Sequence, residues 1–217
     1  MMKKNGFTLA EVLITLAIIG VVATMTLPAL MTNTAEQQAK TGLKKGINTL
    51  TEAAQMSQAI DGYGFEGLSS SDTTDGEEDE QSLYGLLSRR TQVDYVKSGS
   101  GKLPGAAGNY VVFFRDGSAI SFLPAAHSNN ATQNEMQSDN LPYGIAVLFD
   151  TNGAKGPNMI SNCAGKTGGL GASDNDTGEA STCNDKSKRV IKDQFGVRLR
   201  GGIAVPNGMA AKWAFEN

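Results

Sequence analysis

The chain has 217 residues, 40% hydrophobic and 19% charged, with a formal net charge of −3. That balance excludes a disordered polyelectrolyte and leaves room for one hydrophobic core beside a single long helix. One histidine, two cysteines, no paired carboxylates on a predicted helix and no phosphate-cradling glycine loop leave neither a nucleotide site nor a recognisable catalytic group.

The chain opens with Lys3 and Lys4, then Asn5-Gly6-Phe7-Thr8-Leu9-Ala10-Glu11, and runs directly into an apolar stretch. No charge follows Glu11 until Glu36, so the stretch is long enough to cross a bilayer, with the span placed at about residues 12–31. A carboxylate at the edge of such a segment is costly and marks a function. Lys3 and Lys4 place the N-terminal side in the cytoplasm by the positive-inside bias, with the remainder external. A secretory signal would carry its cleavage site after the apolar run. Here the small residue, Gly6, stands before it.

These residues resemble the N-terminal signature of the type IV pilin superfamily, which includes type IV pilins and the pseudopilins of type II secretion. The resemblance implies cleavage after Gly6 by a prepilin peptidase and N-methylation of Phe7. It divides the chain into a leader (1–6), an N-terminal helix (7–60) and an external pilin-like domain (61–217). The expected fold is α+β, a long helix packed on a small antiparallel sheet. Ala10, where larger aliphatic residues are common in the family, is a mild departure. Cleavage would free a positive amine on Phe7, one helical turn from Glu11. Pairing lowers the cost of a carboxylate in a low-dielectric medium. The partner can be the chain's own amine or a neighbouring subunit's, and the second choice would set the axial register of a filament; solvation at the headgroup level is the plainer alternative. The resemblance also implies the partners: the peptidase, further copies and related pilin-like subunits, and an inner-membrane assembly platform.

Beyond Pro28, which would kink or locally unwind a helix, apolar residues recur at Ala39, Leu43, Ile47, Leu50 and Ala54. This is an amphipathic stripe. Gly42 and Gly46 weaken it by about 1 kcal/mol each relative to alanine, and Asp61-Gly62 ends it. Residues 66–82 hold seven acids and no base, which predicts a solvated loop. A short helix over 82–90 follows, with Leu83, Leu86 and Leu87 inward. Strands are predicted at 110–114 and 118–123 around Arg115-Asp116-Gly117, at 144–149, and at 194–199 and 202–205 around Arg200-Gly201. The stretch Phe149–Asn158 also looks like a turn found in some pseudopilin-like domains.

Cys163 and Cys183 both fall in the external part, where an oxidising compartment predicts a disulfide closing a loop of about 20 residues. No cofactor is expected. Calcium is the alternative, at Asp150 with Asn152 or at Asp174, Asp176 and Glu179, with some support from the family. Against it, Asp and Asn beside glycine are what plain turns use. From Lys186 onward there are seven bases against two acids. Such a patch can meet nucleic acid or simply be a solvated face, and the solvated face is the expectation. Function follows from the resemblance: a non-enzymatic filament subunit, most like a type II secretion pseudopilin. The alternatives are a true or DNA-uptake pilin, or a binding module on an anchor that never polymerises.

Overall fold

The computed structural model describes residues 6–68, 82–98, 110–122, 144–156, 158–163 and 183–217. The acidic stretch between 69 and 81, the lone His127, and Asp174, Asp176 and Glu179 lie outside the described residues. The chain forms two compact units, residues 1–38 and 39–217. Helix α1, Leu9–Ile60, belongs to the first as far as Gln38 and to the second beyond it.

In the first unit the helix is apolar on every side and exposed on every side, from Val12 and Leu13 to Leu30 and Met31. It is long and apolar enough to cross a membrane. Its threonines do not contradict that. Thr15 and Thr24 donate to the carbonyls of Val12 and Val21 at 2.9 Å, Thr26 to Val22 at 3.0 Å and Thr34 to Leu30 at 2.8 Å. Each hydroxyl is thus satisfied within its own turn and asks nothing of a hydrocarbon surrounding. The helix continues through Pro28, although proline offers no N–H to the Thr24 carbonyl.

In the second unit α1 buries the stripe that its spacing predicts: Ala39, Leu43, Ile47, Leu50 and Ala54, joined by Ala53. Asp61 N–H bonds back to the Ser57 carbonyl at 2.7 Å, and Gly62, at φ +83°, takes the left-handed conformation that stops the helix. A 3-10 turn at Phe65–Gly67 follows. Helix α2, Leu83–Arg90, is capped by Ser82, whose hydroxyl accepts from Gly85 N–H at 2.9 Å. Leu83, Leu86 and Leu87 are wholly buried.

Six strands form one antiparallel sheet in sequence order: β1 Val93–Ser98, β2 Tyr110–Phe114, β3 Ala119–Phe122, β4 Ile145–Asp150, β5 Gln194–Arg200 and β6 Ile203–Pro206. A meander of this kind needs only short reversals between neighbours. Gly117 at φ +90° makes the β2–β3 turn while the Asp116 carboxylate accepts from Ser118 N–H at 2.9 Å. Val112, Phe114, Ile120, Val147, Phe149, Phe195, Val197 and Leu199 share one core with α1 and α2. The opposite face buries Val111, Phe113 and Ala119, with Tyr95 of β1 stacked on Phe113 at 4.4 Å. The α+β architecture is therefore the one expected, a long helix and an antiparallel sheet. Strand β1 and a C-terminal helix α3, Met209–Glu216, are additions to it.

Candidate processing and assembly site

Thr8 is where α1 begins. Its carbonyl accepts the first helical bond, from Val12 N–H at 3.3 Å, and its hydroxyl accepts from Glu11 N–H at 3.3 Å. The Glu11 carboxylate returns both favours, taking Thr8 N–H and Thr8 Oγ–H on the same oxygen at 2.8 Å each. Thr8-Leu9-Ala10-Glu11 is thus a capping box, Thr at the cap and Glu three residues on, which satisfies N–H groups that the first turn would otherwise leave open. A carboxylate in the first turn also meets the positive end of the helix dipole.

Of the described residues, Gly6 and Phe7 precede the cap. Phe7 is 90% exposed. A side chain built on Gly6 would meet nothing within 4 Å, and Gly6 is not among the glycines with positive φ. Neither packing nor backbone conformation requires glycine there. In the full chain Phe7 carries an amide rather than a free amine, and Thr8 holds the Glu11 carboxylate. The Thr-x-x-Glu spacing at residues 8–11 is the signal in the sequence that marks this cap.

Cys163 and Cys183 are joined, with Cα atoms 5.0 Å apart and both side chains buried. The bridge sits in the main core cluster near Trp213 of α3, whose Nε1–H reaches Asn184 Oδ1 at 3.2 Å.

The turn that follows β4 holds Asp150 and Asn152, the first of the two sets weighed for calcium. Asp150 is buried, 1% exposed. Its Oδ1 accepts from Asn152 N–H at 3.0 Å and Gly153 N–H at 2.8 Å, and its Oδ2 from the Gln194 side chain at 3.0 Å. This is the work of a turn-forming carboxylate. Burial is the main cause that pushes its pKa up to about 6, with Asp193 nearby acting the same way. Asp193, not singled out by its sequence context, fixes the far side of the turn by accepting from Asn158 N–H at 2.7 Å and Met159 N–H at 2.9 Å. Asn158 stands at φ +50°, and with its amide nitrogen turned inward it donates to the carbonyls of Gly153 at 2.9 Å and Lys155 at 3.0 Å. Among the described residues no group of three His, Cys, Asp or Glu side chains gathers for a metal.

No curated protein and no solved structure matches the chain. A protein-family model does: residues 1–27 match the prokaryotic N-terminal methylation motif. The matched segment contains Gly6, Phe7 and the Thr8–Glu11 cap and runs on into the exposed apolar helix. That match supports a type IV pilin-like protein.

Proposed function

We propose that this chain is a structural subunit of a type IV pilus-like filament, a pseudopilin of a type II secretion system or of a related assembly. The observation that carries the reading is the methylation motif, which runs into a helix whose apolar surface is exposed all round. Such a surface requires lipid or the helices of neighbours. A subunit of this kind is cut after Gly6 by a prepilin peptidase and methylated on Phe7. It waits in the inner membrane with its larger unit outside, then passes laterally into a bundle in which protein helices replace lipid.

Cleavage changes the chemistry around Glu11. The new Phe7 amine brings a cation next to the Thr8 cap, and the carboxylate then has two competing partners, its own helix start and an amine. In a filament the amine of a neighbour is a third. A buried carboxylate without a cation is costly, so the neighbour's amine fixes where one helix stops sliding along the next. The chain acts mechanically, without catalysis of its own, on a platform and motor made of other proteins. Calcium has no role in this mechanism.

Mass spectrometry of protein taken from membranes tests the processing: the N-terminal peptide starts at Phe7 and carries one added methyl group. In the same cells, Glu11→Ala leaves insertion and cleavage intact while crosslinkable filaments fall sharply. Wild-type filament yield from Glu11→Ala at equal expression would leave a plain membrane anchor as the better account.

A further inference from the structure

Three segments of the larger unit meet at Trp213: α1 at Lys40, the stretch 183–190 after the disulfide, and α3. Lys40 Nζ lies 4.0 Å from the centroid of the indole and the Arg189 guanidinium carbon 4.1 Å from it. An aromatic face draws cations electrostatically, so one buried ring gathers two positive charges. The same segments carry Lys186, Lys188 and Lys212, against Asp185, Glu216 and, four residues before Lys40 on α1, Glu36. Asp185 is already engaged by Ser187 N–H at 3.0 Å, by the Ser187 hydroxyl at 2.6 Å and by Lys188 at 3.5 Å. The last contact is exposed and weak, and leaves Lys188 60% accessible.

Chain connectivity says which end of the unit this is. Lys40 follows Met31, where the expected span ends, by nine residues, a tether of at most about 30 Å even when fully extended. The other arginines of the C-terminal part are elsewhere. Arg198 and Arg200 lie on β5 toward Gly202, which approaches Gln58, about 27 Å along α1 from Lys40. The basic C-terminal part is therefore split, and the cluster around Trp213 is the part tied closely to the apolar segment.

We propose that this face binds the phosphates of anionic phospholipids in the membrane that the N-terminal segment spans. The proposal rests on the reading of that segment as an anchor. The chemistry fits: long lysine stems reach outward with their charge at the tip, a sunken tryptophan lies between cations, and basic residues close to a bilayer are attracted to anionic headgroups within a Debye length of the surface. Once bound, the larger unit is held against the leaflet until the subunit leaves the membrane.

Trp213 is the sole tryptophan of the chain, so it reports on its own site. The full-length chain is reconstituted in phosphatidylcholine vesicles, or in vesicles with about 30 mol% phosphatidylglycerol, each with a trace of dansyl-headgroup lipid. Flotation and energy transfer from Trp213 are then measured. The chain floats with both; transfer rises about twofold in the anionic vesicles and returns to the neutral level in about 0.5 M salt. Lys186→Glu with Lys188→Glu, both at exposed positions, removes the rise while flotation is unchanged. Flotation with equal transfer in both vesicles overturns the proposal and leaves the anchor standing. A chain that floats with neither overturns both. Duplex DNA retained by the chain on neutral vesicles and lost steeply with salt, with no effect of phosphatidylglycerol, would assign the face to nucleic acid instead.

Discussion

The ring of Phe149, on β4, lies directly against the backbone of α1 at Gly46, where a methyl group would overlap it. Thr151 fills the same role one helical turn earlier, 2.8 Å from where a Cβ on Gly42 would stand. Read as sequence, these two glycines are only a weakness in the helix. In the fold they form the groove that lets the helix settle onto the sheet.

Alanine at position 46 is therefore expected to lower stability, against its helix propensity. Overpacking a well-filled core costs about 1–3 kcal/mol, more than the ~1 kcal/mol that alanine returns in a helix. Thermal unfolding of Gly46→Ala in detergent should show a fall, and Phe149→Leu in that background should recover part of it. A rise in the melting temperature of Gly46→Ala would mean that the ring and the helix are not in contact.

The Cys163–Cys183 bridge is expected to contribute roughly 3 kcal/mol in the chain-entropy account of a loop this size. Non-reducing peptide mapping of protein from the cell envelope should recover the linked pair. Replacing both cysteines by serine should lower the unfolding midpoint and make it insensitive to reductant. Free alkylation of both thiols without reductant would show that the bridge does not form in the cell.

Glu11→Gln separates two roles that Glu11→Ala removes together. Glutamine at the third helical position still offers an oxygen to Thr8, so the capping box survives while the charge is lost. Filaments should be lost in Glu11→Gln as in Glu11→Ala, with insertion and cleavage retained. Thr8→Ala, which removes the cap hydroxyl at a cost of about 1 kcal/mol, should reduce filaments less. If Glu11→Gln assembles like the wild type, the cap matters and the charge does not.

Asp150 gives a dependence on pH of defined sign. Its pKa rises from the usual 3.8 to about 6 in the folded chain, chiefly through burial, so the folded state holds the proton more tightly than the unfolded. That contribution to stability is complete below pH 4 and is lost as pH rises through 6. The lowered carboxylates act in a lower window: Asp61, held down mainly by Arg90, and Asp185, held down by Ser187, contribute stability that is lost as pH falls below their usual 3.8. The difference between wild type and Asp150→Asn, followed from pH 4 to 7 by thermal unfolding, isolates the first effect. A difference that stays flat across that range would show that Asp150 is ionised throughout.

Most of the architecture was legible because its signals are periodic. The helix stripe, the Asp116-Gly117 reversal and the inward leucines of α2 fell where spacing and turn chemistry put them, with strand ends shifted by a residue or so. Strand β1 was missed because Val93-Asp94-Tyr95-Val96-Lys97-Ser98 is a polar edge strand with a register shift between Val93 and Tyr95, which blurs its alternation. Helix α3 was missed because eight residues make no stable helix alone; Trp213 and three alanines hold it to the core. At the candidate site the residue types were legible and their partners were not. Thr8 could be found from the capping pattern, whereas Asp193 reaches Asn158 and Met159 across more than 30 positions of sequence, where the bridge between Ile160 and Gln194 brings the two stretches together.

The disulfide also creates a place where the chain can be rewritten. Cys163 and Cys183 hold their α-carbons 5.0 Å apart, locked covalently. The chain between them is closed covalently as a ring, and the entropy of closing such a ring grows only slowly with its length. If the subunit polymerises, that ring is repeated once per copy along the filament. An affinity tag inserted there would recur at a spacing set by the packing of the filament's helices.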